Sequence, residues 1–373
     1  MSEFEGMAEV HISDIRSFKS CRRKWWYTSG LGMYLEPRVA YVPFILGRAV
    51  HFALQWYYDD MKKKGAHEYL LEWFDEEREK MGNLTPKEDQ MLKEQLELGY
   101  GMCEHYTLWA QRTDHFKRKW IDDTFDFIAT EIQFDIPLYR DVQAISNNKP
   151  SDKFFLSGRF DGIIRRRDDG KLYLWETKTA RNIPDLVKTL WNDEQCGAYV
   201  IAAQRLLNVP IEGVMYNVMR KKVPGTPREL QSGLLSRAMK PETSYDWYLS
   251  TIVDNDPPPS DMSTEDYMKV VLQSYGDHLQ RLKEEHRGYW FDRIVIKRTP
   301  EQLIKLESEL FQVATEMTDP NTPRYPAPGW NTCNFCKFHE PCKRLNRNES
   351  DALMIKAGFK RRGEWVKLSG KET

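Results

Sequence analysis

The chain has almost no net charge and no stretch that is apolar enough to span a membrane. Its 373 residues include 55 Lys and Arg and 56 Asp and Glu, which gives a formal net charge of −1. Bulk charge therefore gives no sign of nucleic-acid binding, and any basic footprint must be local. No apolar run reaches the length of a transmembrane helix, and the N-terminus has neither a basic region nor an apolar core. These absences predict a soluble, cytoplasmic protein.

The sequence also lacks internal repeats, low-complexity segments and a Gly-x-x-x-x-Gly-Lys-Ser/Thr loop, so no ATP-driven motor is encoded in it. Cysteine is scarce, with six residues at positions 21, 103, 196, 333, 336 and 342. In a cytoplasmic protein these are expected to be free thiols or metal ligands. Cys103 and Cys196 are interpreted as small core residues. Aromatic residues are plentiful, with 12 Trp and 18 Tyr available for packing or base stacking.

Helical and strand patterns occur in an order that predicts an α/β fold, with a mixed central sheet flanked by helices. Apolar periodicity predicts helices over 13–28, 44–64, 193–207 and 299–317, and two helices within 67–118. Strands are predicted over 125–138, 154–166, 171–179 and 214–220. The second and third strands form a hairpin around Asp168-Asp169-Gly170. Ser13 is the predicted N-cap of the first helix.

These elements divide the chain into five predicted segments. They are N-terminal helices (1–66), a helical insertion (67–120), a core (121–222), a helical and basic extension (223–318) and a Cys-rich C-terminal segment (319–373).

Two acids and a lysine are predicted to lie at the tips of neighbouring strands. Because side chains alternate along a strand, Glu176 and Lys178 point the same way, about 7 Å apart. The hairpin brings Asp161, fifteen residues before Glu176, within reach of the same site. Carboxylates are the ligands that Mg²⁺ or Mn²⁺ prefers, and such an ion activates water for phosphodiester cleavage. Lys178 would orient that water or offset transition-state charge. The alternative is a solvated strand end with an incidental ion pair.

Three further side chains are candidates for the same site. His51 lies on an aromatic-rich predicted helix, where a lone His is more often a packed core residue. Gln195 and Tyr199 are spaced i and i+4 on the helix after Lys178, so both can reach one ligand. An ordinary amphipathic helix would show the same spacing.

Taken in order, these motifs resemble those of the PD-(D/E)XK nuclease superfamily. The matching residues are Gly47-Arg48-x-x-His51, Asp161-Gly162, Glu176-x-Lys178 and Gln195-x-x-x-Tyr199. The pattern is most similar to the RecB/AddB-type branch, which includes CRISPR-adaptation nucleases, exonuclease V and phage recombination exonucleases. The resemblance implies a restriction-endonuclease-like core of one helix, three strands, a helix and a strand, with helical insertions.

The resemblance also implies roles for individual residues. His51, Asp161, Glu176 and the backbone carbonyl of Thr177 would bind the divalent metal. Lys178 would be catalytic together with the two acids, and Gln195 and Tyr199 would contact DNA or align the site. Glu131 is a weaker candidate, because a surface strand acid explains it equally well.

The cysteines near the C-terminus have a compact metal-ligand spacing. Cys333-x-x-Cys336 is followed five residues later by Cys342, and the set needs a fourth ligand. In the resembled family a Cys near the N-terminus completes a [4Fe–4S] cluster, which implies Cys21. A zinc knuckle that uses His339 instead is the alternative. Cys21 is preferred because its flanking residues also match the family.

A local basic patch follows the last predicted core strand. From 220 to 240 there are six basic residues and one acid, a local charge of +5. Arg220, Lys221 and Lys222 open this patch, and aromatic residues lie nearby. Such a surface suits a groove that holds phosphates and stacks bases. A solvated charged face is the alternative.

Together the patterns predict a divalent-metal-dependent deoxyribonuclease that acts as an exonuclease on DNA ends. Its expected setting is recombination, repair or phage DNA processing in a bacterial or phage-infected cell, with a helicase or recombinase as a partner. The alternatives are a nuclease-like DNA-binding accessory protein that is active only in a complex, and a zinc-binding structural protein without catalysis. No sequence feature predicts the oligomeric state.

Overall fold

The computed structural model describes residues 4–37, 45–60, 63–81, 84–111, 113–114, 119–120, 124–286 and 288–362. Within these ranges a six-stranded mixed sheet carries helices on both faces, which confirms the predicted α/β fold. The strands are β1 (Ala8–His11), β2 (Leu35–Pro37), β3 (Thr113–Asp114), β4 (Lys119–Trp120), β5 (Phe125–Pro137), β6 (Phe154–Arg166), β7 (Leu172–Ala180), β8 (Val214–Arg220), β9 (Phe291–Ile296) and β10 (Phe359–Arg361).

Helices surround the sheet and build the segments before and after it. They are α1 (Ile12–Ser20), α2 (Arg22–Thr28), α3 (Ile45–Asp59), α4 (Ala66–Lys80), α5 (Pro86–Ala110), α6 (Val142–Ser146), α7 (Ile183–Leu190), α8 (Glu194–Leu207), α9 (Tyr245–Asn255), α10 (Thr264–Glu285), α11 (Pro300–Thr318), α12 (Trp330–Asn334), α13 (His339–Asn346) and α14 (Ala352–Gly358). No described helix is both long and apolar enough to cross a bilayer.

Strand β6 organises the sheet because it has neighbours on both edges. β5 runs antiparallel along nearly its whole length. The opposite edge is shared, since β1 pairs in parallel with 154–157 and β7 pairs antiparallel with 162–165. β8 then joins β7 in parallel, and β9 completes the sheet antiparallel to β8. In the described structure, residues 158–161 of β6 thus have no ladder partner on the edge that β1 and β7 share.

The two faces of the sheet bury separate hydrophobic cores. One core packs α1, α8 and α11 against the sheet, and the other packs α3, α4 and α5. Along β7, Leu174 enters the first core, whereas Tyr173 and Trp175 enter the second. This confirms the predicted alternation. Each such fully buried side chain contributes roughly 1.5–3 kcal/mol through burial of apolar surface.

The charged segment after α3 forms two helices, as predicted. Thr85 caps α5 through a capping box, in which Glu88 N–H donates to the Thr85 hydroxyl and Thr85 N–H donates to the Glu88 carboxylate. Pro86 occupies the first helical turn, where its missing N–H costs nothing. The sequence also predicts a break between these helices at Gly82-Asn83, which lies outside the described residues.

The helix predicted over 13–28 is wrong in two respects, because it is not continuous and because Ser13 is not its N-cap residue. Cys21 is extended, with φ −164° and ψ 107°, and separates α1 from α2. His11 rather than Ser13 is the N-cap residue, and it makes no side-chain capping bond. The break turns the Cys21 thiol towards the C-terminal segment, where its Sγ accepts from the Ala327 N–H at 3.5 Å. A long-range contact has therefore overridden local helical periodicity.

Several other elements were not predicted from the pattern. α7 lies between the hairpin and α8, and β1 and β9 add neighbours to the sheet. Of the helix predicted over 44–64, α3 covers 45–59, whereas the described residues 60, 63 and 64 are not helical. Short strands and helices carry too few residues for their periodicity to be distinctive.

His105, in α5, is expected to make the folded protein sensitive to acid. Its side chain is 3% exposed, and burial lowers the pKa of the ring to about 4. An unfolded His titrates near pH 6.5, so the stabilisation is complete above that pH and is lost as the pH falls towards about 4. The loss amounts to about 3 kcal/mol. Urea unfolding of the wild type and of His105→Gln across this range would measure the difference.

His11→Gln provides the control, because the His11 side chain is 43% exposed. The His105 variant should show a flatter fall in unfolding free energy with acid than the wild type or the control. Equal pH slopes in all three proteins would contradict the prediction.

Candidate active site

Asp161 and Glu176 lie where β6 and β7 separate. The last ladder pair between these strands is Gly162–Trp175, so the register would make Asp161 and Glu176 the next pair. Instead, the Thr177 N–H donates to Asp161 Oδ2 at 2.7 Å. Because the N–H and C=O of one strand residue point to the same side, the Thr177 carbonyl faces the same opening. The fork, where β6 and β7 diverge beyond the Gly162–Trp175 pair, therefore brings together two carboxylates and a backbone carbonyl, as the sequence predicted.

Glu176, Lys178 and Gln195 form a closed ring of hydrogen bonds. Lys178 Nζ donates to Glu176 Oε1 at 2.5 Å and to Gln195 Oε1 at 2.9 Å. Gln195 Nε2 donates to Glu176 Oε1 at 3.0 Å. Asp193 caps α8 by accepting from the Gln195 N–H, which fixes the start of the helix that presents Gln195. The predicted pairing of Gln195 with the strand tip is thus present in the fold.

His51 reaches the fork from the opposite face of the sheet. Its Nδ1 lies 3.1 Å from Asp161 Oδ2, and the ring is half-buried on α3. One helical turn after His51, Gln55 lines a small cleft beside Asp161, and Tyr58 lines the same cleft. The structure thus brings together the helix and strand residues that the sequence motifs placed in one site.

Tyr199 lies behind this group rather than in its centre. Its ring makes edge contacts with Phe134 and Phe160, with centroid distances of 5.7 and 5.5 Å. Burial raises the pKa of its hydroxyl, and the negative charge of Glu176 adds to this effect. The hydroxyl therefore stays protonated, and it lies near Gln195 and Glu176. This places Tyr199 as support for the residue that contacts Glu176 and Lys178.

Glu131, the weaker sequence candidate, is closer to the site than its pattern indicated. Thr130 pairs with Gly162 and Ile132 pairs with Phe160, so Glu131 is opposite Asp161. Its backbone has a positive φ of 49°, and its carboxylate pairs with Arg159 Nε at 2.5 Å. Burial raises the pKa of Glu131, and the Asp161 charge raises it further. The register that puts Glu131 here depends on a bulge between Phe127 and Ala129, which no sequence signal announces.

The charges at the fork compensate one another. Burial opposes ionisation of Asp161, but the His51 ring and the Thr177 N–H outweigh it and hold the pKa of this carboxyl below its usual range. Burial also favours neutral His51, yet Asp161 raises the pKa of the ring. Glu176 is 3% exposed, and burial together with Asp161 raises its pKa to about 7. Two acids thus share the positive charges of Lys178 and His51.

The donor set matches the chemistry of a hard divalent cation. Two carboxylates, a backbone carbonyl and an imidazole are ligands that such ions accept. A small cleft at the fork is lined by His51, Glu131, Asp161 and Thr177 and has room for about one water-sized particle. In the described structure, no three His, Cys, Asp or Glu side chains are grouped so that they could hold a metal ion. The carboxylates are instead engaged by Lys178 and His51.

The N- and C-terminal cysteines approach one another across the fold. Cys21 is buried, and Cys336 and Cys342 are half-buried. Burial raises the pKa of the Cys336 thiol, and Cys21 and Cys342 both raise it further because they lie nearby. Arg23 Nη1 lies 3.5 Å from Cys342 Sγ. Cys333 is also half-buried, and its carbonyl accepts from the Cys336 N–H.

The two remaining cysteines are buried, as expected for core residues. Burial raises the pKa of both Cys103 and Cys196, so both thiols stay protonated. His339, the alternative zinc ligand, has its Nδ1 3.6 Å from the neighbouring Glu340 carboxylate.

Two residues of the predicted DNA-binding triplet contact other parts of the protein. The Arg220 guanidinium lies 3.8 Å above the Tyr289 ring, and its Nε donates to the Arg181 carbonyl. Lys222 forms an ion pair with Glu242. Lys221 is half-buried between them. Two of the three cations therefore already have partners within the protein.

Comparison with known families identifies the fold and the class of site. A sequence profile of the PD-(D/E)XK nuclease superfamily matches residues 10–343, which is nearly the whole chain. The chain therefore belongs to the PD-(D/E)XK nuclease superfamily. Nucleases of this superfamily depend on divalent metals such as Mg²⁺ or Mn²⁺, so membership implies a metal-dependent nuclease with DNA as its substrate. No curated protein sequence matches the chain.

The ion pair at the strand tip should be measurable as a coupling energy in the absence of metal. The Lys178 and Glu176 side chains are 24% and 5% exposed. Lys178→Met leaves a buried carboxylate without its cation and should lower the unfolding free energy by about 2 kcal/mol. Adding Glu176→Gln should recover at least half of this loss. Urea unfolding with a chelator, above the raised pKa of Glu176, is measured for the wild type, Lys178→Met, Glu176→Gln and the double variant.

The exposed pair Lys188–Asp185 is a matched control, with side chains 76% and 67% exposed. Lys188→Met should change the unfolding free energy by less than about 0.5 kcal/mol. Additive effects of the two strand-tip substitutions would show that Lys178 and Glu176 are not coupled.

Proposed function

We propose that this protein is a metal-dependent exonuclease that hydrolyses phosphodiester bonds at DNA ends, with its active site at the β6–β7 fork. The observation that carries this proposal is the early end of the ladder, after which Asp161, Glu176 and Lys178 stand together. Membership of the nuclease superfamily supports the chemistry. The order of the flanking His51 and Gln195 motifs, which resembles the RecB/AddB-type branch, supports action on DNA ends.

The residues of the fork divide the work of the proposed reaction. His51, Asp161, Glu176 and the Thr177 carbonyl would hold the divalent ion, which supplies Lewis acidity and an activated water when bound. Asp161 and Glu176 carry the negative charge that such a site needs.

Lys178 is positioned to act on the scissile phosphate or on the attacking water. Its Nζ is now held by Glu176 and Gln195. Once Glu176 turns to another partner, Nζ keeps Gln195 as its anchor and can direct its remaining N–H groups at developing negative charge. Tyr199 lies near Gln195 and packs its ring against Phe134 and Phe160. Gln195 therefore holds Lys178 in place while Glu176 changes its partner.

Activity should depend on the fork and on a divalent cation. Purified protein with Mg²⁺ or Mn²⁺ is expected to degrade end-labelled linear DNA and to spare covalently closed circles. Asp161→Ala and Lys178→Ala should each lower the cleavage rate on the order of 10³-fold, because each removes charge that acts on the transition state. Time courses of nucleotide release from both substrates provide the measurement.

Lys305→Ala is the control for loss of a lysine elsewhere, since its side chain is 80% exposed on α11. It should cleave like the wild type. Cleavage of closed circles would reject the exonuclease assignment. Absence of cleavage by the wild type, or equal cleavage by Lys178→Ala, would reject the enzymatic proposal itself and favour an accessory DNA-binding role.

We also propose that Cys21, Cys333, Cys336 and Cys342 hold a [4Fe–4S] cluster. Support comes from the Cys333-x-x-Cys336-x₅-Cys342 spacing and from the Ala327 N–H that donates to Cys21 Sγ. Thiolate sulfurs that accept such bonds are typical of cluster sites. The cluster would tie the break between α1 and α2 to the C-terminal segment.

Protein purified without oxygen should be brown and contain iron and sulfide in equal amounts. Cys21→Ser should lose most of the iron and lower the melting temperature, because the clamp between the two ends of the chain is lost. Cys103 lies in the core formed by α3, α4 and α5, so the Cys103→Ala variant should keep its iron. A colourless protein that contains only zinc would overturn the cluster in favour of the local knuckle with His339.

A further inference from the structure

Two basic residues leave the sheet side by side just beyond the proposed catalytic lysine. β7 and β8 run in parallel, and Ala180 pairs with Arg220 at their last position. The Lys221 N–H then donates to the Ala180 carbonyl at 2.7 Å. Arg181 and Lys221 are therefore the first residues past the same edge of the sheet. Arg181 follows Lys178 by three residues, a reach of at most about 10 Å along the backbone.

These two cations differ from their neighbours because they lack acidic partners. Within the described ranges, neither Arg181 nor Lys221 forms an ion pair with a carboxylate. Arg220 and Lys222, by contrast, are held by Tyr289 and Glu242. The like charges of Arg181 and Lys221 also lie close enough to interact. Burial lowers the pKa of Lys221, and the positive charge of Arg181 lowers it further.

Acidic groups on the neighbouring helix do not neutralise this pair. Asp185, in the first turn of α7, forms its ion pair with Lys188. Asn182 caps α7 directly after Arg181, and its side chain accepts from the Asp185 N–H. The positive end of the α7 dipole thus adds to the field of the two cations. An exposed Arg and a half-buried Lys beside a helix start form a local positive site that an anion would stabilise.

We propose that Arg181 and Lys221 together bind a backbone phosphate of the DNA strand that lies next to the scissile phosphate. This inference rests on the proposed function. It retains Lys221 from the basic triplet and adds Arg181, the first residue after β7. The planar guanidinium of Arg181 can donate to two phosphate oxygens, and Lys221 adds a point charge beside it. Arg220 and Lys222 instead stabilise the loop through Tyr289 and Glu242.

The test separates DNA binding from cleavage. Binding of a fluorescent single-stranded oligonucleotide and of a blunt duplex is measured by anisotropy with a chelator present, over a series of salt concentrations. Arg181→Gln and Lys221→Met should each weaken binding about tenfold and reduce the salt slope by about one. In cleavage assays with Mn²⁺, both variants should raise KM while kcat at saturating DNA stays unchanged. Lys305→Met is the control that should match the wild type in every measurement.

Two further comparisons keep the outcome clear. Arg181 is exposed, so Arg181→Gln should fold even if Lys221→Met does not, and Lys221→Arg should retain most of the affinity. Unchanged affinity and salt slope in Arg181→Gln would overturn the phosphate site, whether or not the wild type cleaves DNA. Absence of cleavage by the wild type, with a reduced salt slope in the variant, would overturn the proposed function and leave the phosphate site standing.

Discussion

The site depends on one constraint in the sheet, namely the end of the β6–β7 ladder at Gly162–Trp175. β1 occupies the far part of the same edge of β6, so β7 must diverge before it reaches that region. At the point of divergence, backbone groups that would have paired with each other become available to side chains. The Thr177 N–H turns to the Asp161 carboxylate, and Glu176 is free to meet Lys178 and Gln195. The arrangement of side chains in the site therefore follows from the end of pairing between β6 and β7.

Charge compensation explains how acids can be so deeply placed at this fork. A buried carboxylate is costly unless it is paired and hydrogen-bonded. Lys178 and Gln195 serve Glu176, while His51 and the Thr177 N–H serve Asp161. Under the proposed function, a divalent ion would compete with these partners because it offers more positive charge than either, and the sheet and its two cores would stay in place.

Patterns confined to one segment were predicted well. The hairpin and the alternation of Leu174 and Trp175 both depend on residues close in sequence. Features that depend on contacts between distant segments were not predicted well. The break at Cys21 accompanies a contact with Ala327, more than 300 residues away. The contacts of Arg220 with Tyr289 and of Lys222 with Glu242 also join distant parts of the chain.

The sequence alone determined which residue types meet at the strand tips and how far apart they lie along each strand. Side-chain alternation and helical spacing are properties of local backbone geometry, so Glu176 and Lys178, or Gln195 and Tyr199, share a face wherever the segments pack. Only the tertiary structure decided the pairing across segments. The bulge after Phe127 shifts the register of β5 by one residue and puts Glu131 opposite Asp161. Such a register depends on packing and hydrogen bonds between strands, which no single segment encodes.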